Sequence, residues 1–295
     1  MAKFRANHGR ARKGSSGMIV RIGIFSALIG GFFLLFNLFN GGYFEPEIVV
    51  DKELSYYLPA GGKGTVVQKS TYALSYSEPH EQAEWVAYKL SGATLRQPFV
   101  KRTDDFRPDP GIPSGSSHPN DYRRSGYDRG HLVPAADRAY HESAMSETFL
   151  MSNISPQDHK FNGGVWRELE ELTREWAKQA GELYIVTGPI LDMPAKGTIG
   201  QNEVTIPGGF FKVLLDLKEP QLKAIGFVLP NTISYEPLYK FAATIDEVEA
   251  MTGLDFFAGF LPEEVEMELE ASVDVNLWPL DKKKFRKRIE NWNNR

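Results

Sequence analysis

The chain has 295 residues, of which 42% are hydrophobic and 24% charged, an ordinary globular composition that allows one large domain or two small ones. It contains no cysteine, which excludes disulfide bonds and metal sites with thiolate ligands. The formal net charge of -4 does not by itself indicate a nucleic-acid binder. The charge is uneven, because residues 94–138 carry eight Lys or Arg against six Asp, a mildly basic region within an acidic chain.

The N-terminus combines basic side chains with a long apolar run. The run from Ile22 to Phe39 has 18 residues. As a helix it would be about 27 Å long, close to the hydrocarbon thickness of a bilayer. No small-residue cleavage site follows it, so the pattern predicts an uncleaved transmembrane anchor, with a buried core helix as the alternative. Basic residues precede the run, which predicts a cytoplasmic N-terminus: Lys3, Arg5, Arg10, Arg12, Lys13 and Arg21.

Four regions follow from this pattern. They are a cytoplasmic basic segment (1–17), a transmembrane anchor (18–40), a linker interrupted by Gly and Pro (41–60) and one folded domain (61–295). The predicted location is a single-pass protein of the inner or plasma membrane. Its folded domain is then periplasmic or otherwise exported.

Within the folded domain, short runs of β-branched and aromatic residues predict strands. These are 71–77, 85–91, 183–190, 210–217 and 222–230, the last two paired through the turn KEPQ. Residues 107–126 are dense in Pro, Gly and Ser and predict a long loop. Helices are predicted over 162–179 with Gly181 as the stop, over 245–251, and from Pro262. Strands and helices without regular βαβ alternation favour an α+β fold.

The helix predicted over 162–179 carries two stripes. Its apolar stripe has the spacing of a core-facing helix: Val165, Leu169, Leu172 and Trp176. A second stripe, spaced by four residues, would present an amide, an indole, a carboxylate and a guanidinium along one edge: Asn162, Trp166, Glu170 and Arg174. Oxygen atoms of amides and carboxylates suit Mg²⁺. Glu170 and Arg174 are equally consistent with an ordinary i,i+4 helix pair.

The stretch SGYDRGHLVPAADR places Asp128, Arg129 and His131 within four residues, ahead of an apolar segment. Histidine exchanges a proton near neutral pH, and a neighbouring arginine offsets charge on a phosphate, so the cluster suits phosphoryl chemistry. The glycine between them, Gly130, is predicted to let the backbone approach a substrate. A structural salt bridge is the alternative interpretation.

Other chemistries find less support. His131, His141 and His159 lack the HExxH or comparable spacing of a zinc site. No serine sits in a G-x-S-x-G elbow near VTGPI. The basic run Lys282–Arg288 is interpreted as a solvated tail, with an electrostatic contact to nucleic acid as the alternative.

Five blocks in this order carry a family resemblance: YDRGHLVPAAD, SNISPQ, FNGGVWRELEE, VTGPI and IPGGFFKV. Together they resemble the DNA/RNA non-specific endonuclease family. These are metal-dependent nucleases with an Asp-Arg-Gly-His signature, and they include secreted bacterial sugar-non-specific nucleases and mitochondrial endonuclease G. The similarity spans roughly residues 71–231.

The resemblance implies a ββα-metal (His-Me finger) core with a mixed or antiparallel sheet. It also implies a role for each matching residue. His131 would be the general base, Asn162 the one side-chain ligand of Mg²⁺ or Mn²⁺, and Glu170 would hold waters around the metal. Arg174 would grip the phosphate and Arg129 would support the transition-state charge. Arg102 matches the family's upstream phosphate-contacting arginine, with Arg96 and Arg107 as alternatives, and Asp128 and Asn153 would orient the site.

The function implied is metal-dependent hydrolysis of DNA and/or RNA to 5′-phosphate ends, with low sequence specificity, and the preference between DNA and RNA stays open. Two other functions stay open: a membrane-tethered binding module without turnover, and a phosphodiesterase acting on a non-nucleic substrate. The sequence leaves the oligomeric state open between monomer and homodimer.

Overall fold

The structure is a computed structural model that describes residues 58–294. The predicted basic segment (1–17), the anchor (18–40) and the linker (41–60) up to residue 57 lie outside the described residues. Within residues 58–294, no helix is both long enough and apolar enough to cross a bilayer. All these residues belong to one compact unit.

The described chain forms eleven strands and six α-helices, joined by turns and by one π-helical segment. The strands are β1 (Thr65–Gln68), β2 (Ala73–Ser77), β3 (Gln82–Ser91), β4 (Tyr127–His131), β5 (Ile154–Asp158), β6 (Glu182–Pro189), β7 (Thr198–Ile199), β8 (Val204–Thr205), β9 (Gly209–Asp216), β10 (Lys223–Pro230) and β11 (Ala242–Ala243). The helices are α1 (Glu142–Glu147), α2 (His159–Phe161), α3 (Arg167–Ala180), α4 (Ile245–Thr252), α5 (Glu263–Glu270) and α6 (Lys282–Glu290), and the π-helical segment Asn162–Trp166 connects α2 to α3.

Seven of the strands in the described residues form one antiparallel sheet in the order β1-β2-β3-β6-β9-β10-β11. The two strands predicted to pair through KEPQ do so along their full length, from Lys223 opposite Asp216 to Pro230 opposite Gly209. The predicted α+β class with an antiparallel sheet is confirmed. Two further hairpins, β4-β5 and β7-β8, lie outside this sheet.

Helix α3 and the π-helical segment pack against one face of the sheet, and the predicted apolar stripe forms this contact. Its four residues are all nearly or fully buried. Trp176 stacks on Phe227 of β10 with the ring centroids 6.1 Å apart. Successive strand residues point to opposite faces, and Phe211 accordingly contacts Phe256 on the other side of the sheet. The sheet is therefore covered on both faces.

The predicted second stripe is only partly correct. Trp166 is fully buried between the rings of Phe161 and Phe210, so it does not share an exposed edge with Asn162. The reason is the π-helical segment, in which Gly164 leaves helical geometry at φ -106° and ψ -108°. A π turn holds more residues than an α turn, so spacing by four no longer keeps side chains in line.

The β4-β5 hairpin packs against the sheet through β3. Ser155 of β5 donates a hydrogen bond of 2.6 Å to Gln82 at the start of β3. Directly after β4, Leu132 and Val133 are completely buried in the main core. Because α2 follows β5 without a loop, the sequence SGYDRGH and the residue Asn162 are brought to one edge of the domain.

The long loop predicted over 107–126 is irregular apart from a short turn, Pro119–Tyr122. It is nevertheless well anchored. Asp109 is 2% exposed, accepts a hydrogen bond from Ser152 and lies 2.6 Å from the ammonium of Lys69. A buried charge is tolerated when it is paired and hydrogen-bonded in this way. The loop thus forms a fixed wall beside β4.

The interpretation of the basic run 282–288 as a solvated tail is wrong. It forms helix α6, in which Arg288 is fully buried and its Nε lies 2.9 Å from Glu168 of α3. Lys284 lies 3.0 Å from both Glu171 and Glu175. The physical reason is charge complementarity, since α3 presents several carboxylates and α6 neutralises them.

Replacing Arg288 should therefore destabilise the fold. We expect Arg288→Met to lower the free energy of unfolding by about 3 kcal/mol, because it leaves the carboxylate of Glu168 buried without a counter-charge. Adding Glu168→Leu should recover much of that loss. Urea denaturation followed by tryptophan fluorescence measures both effects.

The control is Arg286→Met, an exposed basic residue of the same helix. It should change the free energy of unfolding by less than about 0.5 kcal/mol. Equal effects of Arg286→Met and Arg288→Met would contradict the packed role of α6.

Candidate active site

His131 occupies the last position of β4, opposite Ile154 of β5. Its ring lies 4.9 Å from that of Phe149 and 5.5 Å from that of Phe106, measured between centroids. The residue is 9% exposed, and its Nε2 is buried without a hydrogen-bond partner among the described residues. Two phenylalanine rings thus fix the imidazole and leave its Nε2 shielded from solvent.

The surroundings of His131 keep the imidazole neutral. Burial lowers its pKa from the ordinary value of 6.5 to about 3, and the nearby cations Arg102 and Arg129 lower it in the same direction. A charged imidazolium would lose hydration and be repelled by both guanidinium groups. At neutral pH the ring is therefore uncharged.

Asp128 connects the signature strand to the following helix. Asn162 donates a 2.8 Å hydrogen bond from Nδ2 to Oδ2 of Asp128, and His159 Nδ1 lies 3.0 Å from the same carboxylate. The amide nitrogen of Asn162 is thereby engaged, while its Oδ1 has no donor among the described residues. A free amide oxygen next to a carboxylate is a donor set that fits a hard cation such as Mg²⁺ or Mn²⁺.

The predicted role of Gly130 is corrected by its packing. A Cβ at this position would lie 2.1 Å from the side chain of Gln157, which is itself fully buried. The close approach that requires glycine is therefore to the neighbouring strand of the hairpin. Because strand residues alternate between faces, this contact sits on the interior face of β4.

Arg102 and Arg129 line the same cleft as Asp128 and Asn162, which has a volume of about 660 Å³. The guanidinium of Arg129 lies 4.0 Å above the ring of Phe106, and that of Arg102 lies 4.8 Å from the ring of Phe149. Arg102 also pairs with the exposed Asp104 at 2.7 Å. The two rings that hold His131 therefore also hold Arg102 and Arg129 of the cleft.

Of the three upstream arginines, the structure brings Arg102 to this cleft. Arg96 donates instead to the carbonyl oxygens of Gly92 and Lys178. Arg107 is bound to Asp105 at 2.7 Å and to the carbonyl oxygen of Ser146 at 3.0 Å. The hydrogen bonds of Arg96 and Arg107 give both side chains structural partners.

Glu170 and Arg174 belong to a partly buried charged cluster that also contains Asp137. Arg174 forms its 2.9 Å ion pair with Asp137 rather than with Glu170, so the simple i,i+4 pair is not what the structure contains. Tyr88 donates to the other oxygen of Asp137 at 3.0 Å. Arg174 lines a pocket next to the cleft, and Arg102 lines both, which makes Arg102 the link between them.

The fourth member of the cluster, Lys212 of β9, was missed by sequence reasoning. Its side chain is completely buried, and its ammonium lies 4.9 Å from the ring of Trp166 without a hydrogen-bond partner among the described residues. Burial lowers the pKa of Lys212 to about 8 and raises that of Glu170 to about 7. The available signal was a lone lysine within the apolar block FFKVLL.

Asn153 is fully buried and ties down the backbone that follows His131. Its Oδ1 accepts from the nitrogen of Val133 at 2.9 Å, and its Nδ2 donates to the carbonyl oxygens of Val133 and Thr148. The three bonds fix the chain two residues beyond the catalytic candidate. This geometry is that of an orienting residue.

The structure does not gather the three histidines considered for zinc. His141 caps α1 through Ser143, and His159 contacts Asp128. Among the described residues, the one group of three side chains spaced to hold a metal is acidic and lies elsewhere: Asp246, Glu249 and Glu270. Exposed acidic groups of this kind are common without an ion.

Comparison with known proteins gives one family. A family model described as DNA/RNA non-specific endonuclease matches residues 51–263. A zebrafish protein named mitochondrial nuclease EXOG is 36% identical over 64% of this chain and 59% of its own length, so less than two thirds of that relative is matched. A nuclease from Nostoc is 36% identical over 70% of this chain and 77% of its own.

A solved structure shares the fold. Endonuclease G, crystallised in a complex with EndoGI, matches with a TM-score of 0.62 at 33% sequence identity, covering 67% of this chain and 87% of that chain. Human mitochondrial endonuclease G is 34% identical over 70% of this chain and 73% of its own length.

The low pKa of His131 predicts a specific acid sensitivity. Between pH 6.5 and pH 3 the unfolded chain binds a proton at this residue that the folded chain refuses, so His131 lowers stability as the pH falls. The loss is on the order of 3 kcal/mol at pH 4. We expect His131→Asn to weaken this pH dependence, measured as urea unfolding free energy between pH 7 and pH 4 in the presence of EDTA.

The control is His141→Asn, because His141 is exposed and asparagine also caps helices well. That variant should follow the wild-type pH dependence. If His131→Asn also follows it, the buried neutral imidazole is ruled out.

Proposed function

The chain belongs to the DNA/RNA non-specific endonuclease family, and from this premise we propose that it is a metal-dependent endonuclease that hydrolyses the phosphodiester bonds of DNA and RNA. The observation that carries the proposal is the neutral, ring-clamped imidazole of His131 close to Arg102 and Arg129, two cations that line one cleft together with Asn162 and its free amide oxygen. None of these groups reads a base edge, which supports low sequence specificity.

His131 acts as general base in this proposal. Its low pKa keeps the ring unprotonated at neutral pH, so that a nitrogen lone pair is free for the proton of water, and Phe106 and Phe149 hold the ring in place. General base catalysis of this kind contributes about 10²–10⁴ to the rate. The activated water attacks phosphorus in line and expels the 3′ oxygen, which leaves a 5′-phosphate end.

Asn162 would hold Mg²⁺ or Mn²⁺ through its Oδ1. The bond from its Nδ2 to Asp128 fixes which way the amide faces, a positioning role for Asp128. When bound, the cation supplies charge stabilisation for the phosphate oxygens and for the leaving oxygen. Glu170, partly buried and offset by Lys212, is proposed to accept hydrogen bonds from water at the site.

Two arginines would bind the phosphate from the other side. Arg129 and Arg102 line the cleft and have their guanidinium groups supported by aromatic rings. Arg174 is proposed to contact a phosphate from the adjacent pocket while Asp137 orients it. Preorganised cations in a partly dry cleft stabilise charge that develops in the transition state.

The β4-β5 hairpin followed by α2, the π-helical segment and α3 is proposed to be the ββα-metal core. The hairpin carries the base and the helical segment carries the metal-binding amide, joined by the bond from Asn162 to Asp128. The folded domain over 61–295 would then be built around this core.

The decisive test is cleavage by the full chain, purified in mild detergent. We expect cutting of supercoiled plasmid and of single-stranded RNA with Mg²⁺ or Mn²⁺ and none in EDTA. His131→Ala should lower the rate at least about 100-fold, because the general base is lost. Asn162→Ala should lower the rate and also raise the Mg²⁺ concentration needed for half-maximal activity.

Calorimetric titration with Mg²⁺ separates the two roles, since His131→Ala should bind the cation as the wild type does. A folded wild type that cuts neither polymer under any of these conditions contradicts the proposal. Turnover of small diesters without cutting of polymers would favour a non-nucleic substrate, and binding of nucleic acid without turnover would favour a binding module.

The location is proposed from residues 1–43 alone. We propose that residues 18–40 anchor the chain in the inner or plasma membrane, with residues 1–17 in the cytoplasm and the nuclease domain exported. In a bacterial host, the chain should stay with membranes in carbonate at high pH. Protease added to spheroplasts should then digest the nuclease domain and spare an N-terminal tag, whereas protection of the domain would contradict this topology.

A further inference from the structure

A second groove lies beside the cleft that contains Asp128 and Asn162. It has a volume of about 760 Å³ and lies between the turn around 118–125 and the β7-β8 turn. Polar side chains dominate its lining, and those used below are Asn120, Arg123, Arg124, Gln201 and Asn202. Neither the family signature nor the catalytic proposal accounts for this groove.

The groove and the cleft are adjacent. Asn120 and Arg123 line both of them and form their common border. A polymer held with one bond beside His131 would pass over Arg123 on its way into the groove. The groove therefore lies where a strand of substrate continues.

Arg123 and Arg124 carry uncompensated charge. Both are exposed, and among the described residues neither lies within ion-pair distance of a carboxylate. In this they differ from Arg174 and Arg102, which pair with Asp137 and Asp104. Two adjacent unpaired guanidinium groups attract an anion, and the forked donors suit phosphate.

The groove is rigid because one buried carboxylate ties its two walls together. Asp121 is 5% exposed and accepts hydrogen bonds from the nitrogen of His118 at 2.7 Å and from the nitrogen of Gln201 at 3.0 Å. It also accepts from Nδ2 of Asn202 at 2.8 Å. Gly200 permits this contact, since a Cβ there would lie 2.2 Å from the Cβ of Asp121. The Asp121 carboxylate, which would otherwise repel an anion, thus uses its oxygens in hydrogen bonds inside the wall.

The backbone of Arg124 supports a functional reason for its side chain. Its φ is +61°, a left-handed conformation that glycine adopts without strain and that a long side chain disfavours. A strained non-glycine residue beside a catalytic cleft is typical of functional sites. A glycine at position 124 would avoid the strain but would lack the exposed guanidinium.

We propose that this groove binds the sugar-phosphate backbone of the nucleic-acid strand next to the bond being cut. Arg123 and Arg124 contact the flanking phosphates, while the amides of Gln201 and Asn202 donate to the sugar-phosphate oxygens of the same strand. The inference rests on the proposed nuclease function and deepens it. The groove makes a polymer a better substrate than a small diester, because only a polymer reaches beyond the cleft.

Binding and chemistry are measured separately with the full chain in detergent. Fluorescence anisotropy with labelled oligo(dT) in EDTA gives the affinity at several salt concentrations. We expect Arg123→Ala and Arg124→Gly each to raise the Kd about threefold to tenfold and to reduce the slope of log Kd against log salt by about 0.7, the value for one phosphate contact on a single strand. Hydrolysis of bis(p-nitrophenyl) phosphate with Mg²⁺ should be unchanged in Arg124→Gly, because Arg124 lines the groove and not the cleft.

Two controls exclude unfolding and a general charge effect. Arg124→Gly should not lower the melting temperature, because glycine relieves the left-handed backbone. Lys240→Ala removes one exposed positive charge outside the residues that line the cleft and the groove, and should leave the Kd unchanged.

The outcomes separate the two proposals. Unchanged affinity and salt slope in both arginine variants would overturn the proposed role of the groove. A wild type that does not bind oligo(dT) would overturn it as well. Weaker binding in the arginine variants supports the proposed binding role of the groove, even if the wild type hydrolyses no diester. That lack of hydrolysis would count against the nuclease proposal alone.

Discussion

The hydrogen bond from Asn162 to Asp128 is the constraint on which the site depends. It joins the β4 strand to the helical segment that begins at Asn162, and it fixes which way the free oxygen of the amide faces. The bond is possible because α2 follows β5 directly and Asp158 caps it by accepting from the nitrogens of Lys160 and Phe161. The π-helical segment then turns Trp166 into the core while leaving Asn162 at the surface.

Burial and charge act together around this bond. His131 stays neutral in the resting site because burial among Phe106 and Phe149 disfavours a charged ring and because Arg102 and Arg129 repel a further positive charge. The same two rings support the two arginines. A single aromatic wall therefore keeps the base neutral and holds the cations that a phosphate would meet. Glu170 and Lys212 lie between helix and sheet, where the opposite charge of each reduces the free-energy cost of removing the other from water.

The acidic net charge of the chain and its proposed substrate are compatible because charge is local. Several carboxylates of the described domain are committed to internal contacts, as Asp121 is to the groove wall and Glu168 is to Arg288. Part of the basic run 282–288 forms ion pairs with carboxylates of α3, whereas Arg123 and Arg124 remain unpaired within the described residues. Counting charges along the chain could not distinguish the paired basic residues from the unpaired ones, since pairing depends on the tertiary structure.

The sequence by itself determined the α+β class, most strands and helices, and the apolar stripe of α3, because these follow from local periodicity and turn residues. The linked blocks around SGYDRGH and FNGGVW also singled out His131 and Asn162 as candidates before any contact was known. Only the tertiary structure decided what each charged side chain faces. It showed that Gly130 makes room for Gln157, that Arg174 pairs with Asp137, and that Lys212 lies under the site. Such partners are distant in the chain and meet only when the sheet, the hairpin and the helix pack, so no local pattern can specify them.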